Sequence, residues 1–430
     1  MKHLKKISSI ALSMMMVMTM GASAFAADTG ANESNSNSLT FKKEIVVYNN
    51  ESTTVYGPGI EYSYTVSPVT VSGKTVTDKG GDTMTVKSGV VDGLTLGTDK
   101  KATFTQNVEV AATSGGTVIS DTVDLTINPS AFPSAGIYRY QITETKPADF
   151  ENVGLTRPDA YKDSRYIDVY IKNKVPQSET DGKLEAFGTV IFFEENDNIS
   201  AKSDVAANAI TGKAEGFTEA YDSSIDGQGG TAGSGMADKY YTYNYTLTKS
   251  ITGTMADKTH YFPFAIKTSG AVAGQNFTVT ATETPNLVNG VADGVAATST
   301  DINAKLKDTQ TVTIKGLPAN TSIEVVETND TTDTYNVTAS DTSGETVKTF
   351  VDNVATTAGG TQTTKVNPVS NYASNKITEP TALLTATTFV NELNEVSPTN
   401  VVMRFAPYLF ILGGAMMLLV ASRRRKSDQE

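Results

Sequence analysis

Apolar and polar residues alternate with period two along most of the chain, in short runs rich in β-branched and aromatic side chains. "LTFKKEIVVY", "IEYSYTVS", "ATFTQNVEV", "DTVDLTIN", "GIYRYQITE", "RYIDVYIKN" and "GTVIFFEE" follow one another along the first half. Gly, Pro, Asn and Asp separate them, which predicts an antiparallel all-β sandwich. The pattern lapses in the Gly/Ser-rich "DSSIDGQGGTAGSGMADK" and resumes with "YYTYNYTLTKSITG", "YFPFAIKT", "NFTVTATE", "TQTVTIKGLP", "TSIEVVET", "TYNVTAS" and "TATTFVNEL". A second sandwich is expected there.

Two stretches break the alternation with continuous apolar character. Ile7 to Met20 follows Lys2, Lys5 and Lys6 and precedes Ala24-Phe25-Ala26, the order of a secretory signal peptide. Phe405 to Ala421 precedes Arg423, Arg424, Arg425 and Lys426, the order of a short membrane span held by a basic stop. The expected organisation is a signal peptide with its helix at 1–26, a disordered leader at 27–38 and a β-sandwich at 39–221. A linker or loop at 222–239, a second sandwich at 240–395 and a tail with a transmembrane helix at 396–430 follow. The 430 residues accommodate two such domains. The halves also resemble each other: each opens on a strand ending in Lys and has a central strand ending in Glu.

Charge and composition narrow the function classes. Loss of the signal peptide and of the tail from Asn400 onward takes the formal charge from -12 to -18, so nucleic acid is not expected as a partner. There is no Cys, and His260 is the one histidine outside the signal peptide. Thiol nucleophiles are excluded, Ser-His triads and imidazole metal sites are disfavoured, and a secreted chain without disulfides needs another staple. The Gly-rich "GQGGTAG" lacks the strand-then-helix context of a phosphate loop, and "ENDN" and "ETNDTTD" lack calcium-loop spacing. No metal or cofactor is expected.

One combination carries chemistry. A lysine on a half-buried strand is ordinarily exposed, yet Lys43 and Lys249 recur at the same place in the two halves, followed by Glu144 and Glu327 on central strands. In the second half Asn391, in "TTFVNEL", completes a set. Buried together, the lysine loses a proton and the carboxyl group keeps one, because desolvation penalises both charged forms. The neutral amine of Lys249 can then attack the Asn391 carboxamide while Glu327 polarises the carbonyl and relays protons to departing ammonia. The product is an amide bond between first and last strands.

In this order along the chain, "LTFKK", "FPSAGIYRYQITE", "GFTEAY", "TLTKSITG", "IKGLPANTSIEVVE" and "TTFVNEL" resemble the Gram-positive, streptococcal-type backbone pilins, whose domains form internal isopeptide bonds. The resemblance covers roughly residues 39 to 400. It implies two tandem Ig-like, CnaB-related β-sandwiches, with Lys249 bonded to Asn391 under the influence of Glu327. It places Lys43 and Glu144 in the corresponding positions of the first domain. There the expected Asn position is held by Glu219, with Asn196, Asn198 or Asp238 as candidates in another register and a Lys43–Glu219 salt bridge as the alternative to a covalent bond.

The tail is similar to a sortase sorting signal. "VSPTN" (Val396, Ser397, Pro398, Thr399, Asn400) stands where such chains carry Leu-Pro-X-Thr-Gly, which implies cleavage between Thr399 and Asn400 by a sortase of matching specificity. Lys213 in "ITGKAEGF", or else Lys202, stands where related pilins carry the lysine that accepts the next subunit. The implied protein is a structural shaft subunit on a Gram-positive-type cell surface, secreted, membrane-retained as a precursor and then wall-anchored. Its implied partners are a sortase, copies of itself, peptidoglycan and accessory or tip pilins. It is not a turnover enzyme, since each Glu assists one bond once. A wall-anchored adhesin or accessory pilin that does not polymerise is the alternative.

Overall fold

The structure is a computed structural model that describes residues 37–394, apart from 50, 78–82, 160, 175–182, 194–198, 201–208, 211–213, 220–235, 270–273, 283–286, 289–293, 298–300, 320, 344–345 and 367–383. The expected signal peptide, the sorting motif at 396–400 with Thr399 and Asn400, the apolar span, and Asn196, Asn198, Lys202 and Lys213 lie outside the described residues. Among the described residues no helix is long and apolar enough to cross a membrane.

The described chain is all-β, with a single 3-10 turn at Pro129–Ala131. Among the described residues two large hydrophobic cores form, one from residues between Phe41 and Tyr240 and one from residues between Tyr243 and Phe389, and a smaller cluster of Val86, Ile137, Tyr170, Val190 and Phe192 lies in the first half. In the first half, the opening strand Ser38–Asn49 pairs antiparallel with Thr117–Ile127. Facing it is a sheet in the order Leu184–Phe192, Ser164–Asn173, Gly136–Thr145, Ile60–Pro68, Lys101–Phe104. In the second half, a sheet in the order Ile302–Leu306, Phe262–Ser269, Ser322–Thr328, Thr361–Val366 faces the strands Thr311–Pro318, Tyr335–Ser343 and the closing strand Leu384–Glu392.

One strand belongs to both halves. Asp238–Thr252 pairs in parallel with the opening strand over Ile45–Asn49 and, further along, in parallel with the closing strand over Ala386–Glu392. Successive side chains of a strand point to opposite faces. The even positions Asp238, Tyr240, Thr242 and Asn244 are buried on the first half's side, and the odd positions Tyr243 to Ile251 are buried in the second core. This strand begins at Asp238, inside the stretch expected to be a linker.

Further contacts join the halves. The Asn49 amide donates to Thr242 Oγ1 at 2.8 Å, and the Asn244 amide donates to Glu51 Oε2 at 3.0 Å. Gln275 Nε2 donates to the Pro58 and Val153 carbonyls, and Tyr48 stacks on Tyr241 with ring centroids 5.0 Å apart. A bulge reinforces the junction. Between Tyr243 and Tyr245 the partner strand carries one extra residue, and Gly316 adopts φ +78° there. Only glycine takes that conformation without strain.

Candidate functional site

Alternation along the opening strand puts Phe41, Lys43, Ile45 and Val47 on the core face, so Lys43 is fully buried among apolar neighbours. The same phase argument buries Lys249 between Leu247 and Ile251. In each half a glutamate reaches across from the central strand of the facing sheet: Glu144, registered opposite Tyr64, and Glu327, registered opposite Phe264. The acceptor positions also coincide. Two residues beyond each lysine stands an isoleucine, and Ile45 is registered opposite Asp238 as Ile251 is opposite Asn391. The fold thus builds one lysine, glutamate and acceptor arrangement twice.

In the second half Lys249 Nζ lies 2.8 Å from Glu327 Oε1, and the Asn391 amide nitrogen donates to the same oxygen at 2.9 Å. All three side chains are buried, Phe262 lies under the amine at 4.5 Å, and Phe264 packs edge-on against Phe389. Desolvation lowers Lys249 to about 8, against the opposing pull of Glu327. Desolvation also raises Glu327, more than Lys249 and Asn391 lower it. The pair therefore leans toward neutral amine and neutral acid. Among the described residues Asn391 Oδ1 and Glu327 Oε2 have no hydrogen-bond partner. Such groups are rare in a core. Here they are atoms that amide exchange would use: a carbonyl to polarise and a proton relay.

The first half presents different chemistry on the same frame. Lys43 Nζ donates to Asp238 Oδ2 at 2.6 Å, to Tyr161 Oη at 2.8 Å and to Glu144 Oε1 at 3.3 Å. Tyr64 and Tyr161 hydroxyls donate to Glu144 at 3.0 and 2.5 Å. Arg157 then spans both carboxylates: Nη2 donates to Glu144 Oε1 at 2.6 Å, and Nε and Nη2 donate to Asp238 Oδ1 and Oδ2 at 2.9 and 3.0 Å. Burial would raise Asp238, but Lys43 and Arg157 outweigh it and hold the carboxyl below its usual range. Burial and the nearby Glu144 and Asp238 push the Tyr161 hydroxyl well up, so it stays a donor.

The expectation that Glu219 stands opposite Lys43 is corrected by this geometry. Phe217-Thr218-Glu219 does parallel Phe389-Val390-Asn391, for Lys43 is registered opposite Phe217 as Lys249 is opposite Phe389. In the first half, however, the pairing breaks after Phe217 and resumes at Asp238. Glu219 spans the break: Oε2 accepts from Ala237 N, its carbonyl accepts from Met236 N, and its own N–H donates to Glu44. The acceptor position passes to Asp238. Sequence reading missed Arg157 and Tyr161 altogether, since nothing local in "LTRPDAY" marks them, and gave Tyr64 in "IEYSYTVS" no role beyond its strand. Asp238 had a signal in its even-numbered phase with Tyr240 and Thr242, opposite to that of Lys249.

Comparisons with known proteins add family context. A family model described as a domain of unknown function, DUF7601, matches residues 243–367, a span that holds Lys249 and Glu327 and stops before Asn391. A search of curated sequences finds no match. Among solved structures, the major pilin of Streptococcus pyogenes is similar at 15% identity over 83% of this chain and 99% of the pilin, with a TM-score of 0.41. The T3.2 major pilin of the same organism is similar at 16% identity over 83% of this chain and 99% of that one, with a TM-score of 0.39. The pilus-presented adhesin Cpa is similar at 11% identity over 82% of this chain and all of that one, with a TM-score of 0.27. Likeness at this level carries no argument about function, which rests instead on the side chains.

Proposed function

We propose that the chain is a structural subunit of a covalently assembled surface fibre of the pilus type, and that its second half is locked by an amide bond between Lys249 and Asn391. The supporting observation is the buried Lys249, Glu327 and Asn391 set, with its amine lowered to about 8, its carboxyl raised and its carbonyl oxygen unpartnered. As an ordinary ion pair this arrangement stabilises little, because desolvating both groups offsets their attraction. As the reactant state of an amide exchange it has the required parts in contact. Nζ bonds to the Asn391 carbonyl carbon, the carbon–nitrogen bond to the amide nitrogen breaks, and a proton from the amine leaves with it as ammonia. Glu327 passes that proton.

The reading extends outward through the tail. A sortase cleaves between Thr399 and Asn400 and transfers the Thr399 carbonyl to a lysine of the next subunit, Lys213 or Lys202, or to peptidoglycan for the final copy. Accessory or tip pilins share the same linkage. A closing strand bonded at Asn391 lies a few residues from Thr399, so tension at the intersubunit link passes into a crosslinked domain.

Denaturing gels of cell-wall extracts test the assembly. Expected is a ladder of multimers that survives boiling in detergent and collapses to monomer in Lys213→Ala. Persistence of the ladder in that variant and its loss in Lys202→Ala moves the acceptor. A single monomer band in the wild type contradicts polymerisation and leaves a wall-anchored adhesin.

A further inference from the structure

The two buried lysine sites share a frame and differ in charge. From Lys239 to Glu395 the sequence contains no arginine, and among the described residues Lys249 has Glu327 as its sole ionic partner. The first half sets two cations, Lys43 and the partly exposed Arg157, against two buried anions, Glu144 and Asp238, in one cluster. Arg157 is itself held from outside: Nη1 donates to Asp163 Oδ1 at 2.5 Å, and the guanidinium lies 4.0 Å over the Tyr161 ring. An arginine cannot give up its proton to relieve burial. Its presence therefore fixes the charge that the carboxylates must answer.

We propose that Lys43 and Asp238 form a latent crosslinking site, which Arg157 keeps as a non-covalent, ion-paired cluster. The inference rests on the crosslinking chemistry proposed for the second half. Condensation here joins Nζ to Asp238 Cγ. One Asp238 oxygen leaves with two ammonium protons as water, and the net charge of the cluster does not change. The step needs an amine that has lost its proton and a carboxyl carbon that is not part of an ionised, doubly bonded carboxylate. Arg157 opposes the second need and also the passage of protons. It donates to each oxygen of Asp238, which favours the anion, and it ties up Glu144 Oε1, the oxygen that would pass protons to the leaving group. Each Asp238 oxygen already accepts a charged donor, Lys43 or Arg157 or both. In contrast with Asn391 Oδ1, neither is left over for polarisation.

The register excludes distance as the difference between the two sites, which lies in the acid acceptor and in the charge that Arg157 sets around it. Ile45 opposite Asp238 and Ile251 opposite Asn391 place each acceptor identically relative to its lysine, and Lys43 reaches Asp238 at hydrogen-bonding distance. Proximity alone is therefore satisfied in the first half.

Intact-mass measurement of protein carrying both halves, in the wild type, Arg157→Gln and Asp238→Asn, tests this. The wild type is expected to lack one ammonia and no water. Arg157→Gln, by freeing Asp238 and Glu144, is expected to lack one water in addition. Asp238→Asn presents an uncharged carboxamide in place of the anion that Arg157 holds; it is expected to lack a second ammonia. Asp238→Asn retains a side chain of the same shape, so the test stands if Arg157→Gln does not fold. A wild type already lacking both ammonia and water overturns the inference and leaves the second-half bond intact. Folded Asp238→Asn with no further loss also overturns it. A wild type with no deficit, whose Asp238→Asn variant loses ammonia, instead contradicts the second-half reading alone.

Discussion

Burial lowers Lys249 to about 8 and raises Glu327, and the consequences for stability have opposite signs with pH. Between about 8 and the ordinary lysine value near 10.4, the unfolded chain binds a proton that folded Lys249 has lost, so stability of uncrosslinked protein rises with pH in that window. Below about 8 the penalty of a buried ammonium is present in full. Glu327 does the reverse, since the folded chain keeps a proton above about pH 4.3 that the unfolded chain has released. Replacing a buried ion pair by apolar groups is often stabilising by about 1–4 kcal/mol. In an Asn391→Ala background, which has no acceptor, Lys249→Met and Glu327→Leu together are therefore expected to raise the thermal midpoint near neutral pH, with the gain shrinking from about pH 8 toward about pH 10. A gain that grows with pH contradicts a depressed Lys249. At this scale Lys43, Lys249, Glu144, Glu327 and Asn391 were legible, because lysine and glutamate recur at matching places in the two halves and Asn391 completes the second set. Asp238 was legible only as one candidate among several, and Arg157 was not. The first lies beyond an interruption that displaces the strand pairing by some twenty residues, and the second reaches the cluster from a turn whose position no local pattern encodes.

Strands with strong alternation were legible as elements. "GIYRYQITE" forms Gly136–Thr145 and "SIEVVET" forms Ser322–Thr328, close to the quoted limits. Thr346–Thr356 and Thr361–Val366 escaped, the second because Thr and Gln dominate it and leave little amphipathic contrast. "ATFTQNVEV" divides at a turn into Lys101–Phe104 and Glu109–Ala112, with Gln106-Asn107 between them. The strand Asp238–Thr252 was read as the start of one domain and proves to be shared by two cores, a role that only its two-faced burial reveals. Gly316 sits where that strand passes from one half to the other. A Cβ there meets Val55 side-chain atoms at 3.1 Å in a left-handed conformation that costs about 1–3 kcal/mol for other residues. Gly316→Ala is expected to lower the thermal midpoint accordingly and to raise protease sensitivity at the junction, while the mass deficit of the second half stays unchanged. Loss of that deficit would place the bulge within the reactive site's own support.

For the whole molecule, the two sandwiches read from the sequence correspond to two cores joined by a continuous strand, side-chain hydrogen bonds and a stacked tyrosine pair. A chain of formal charge -12, without cysteines, gains little from association through its surface and nothing from disulfides. In the proposed fibre, resistance to force comes from amide bonds: one inside the second half and one at each intersubunit link, with the first half held by a buried ion-paired cluster. Peptide mapping of protease-digested protein by tandem mass spectrometry decides whether the second half is crosslinked. One branched peptide is expected, joining the segment of Lys249 to that of Asn391, lighter by one ammonia than its two parts and absent from Glu327→Ala. Recovery of Lys249 and Asn391 only in separate, unmodified peptides from folded wild-type protein would contradict the bond.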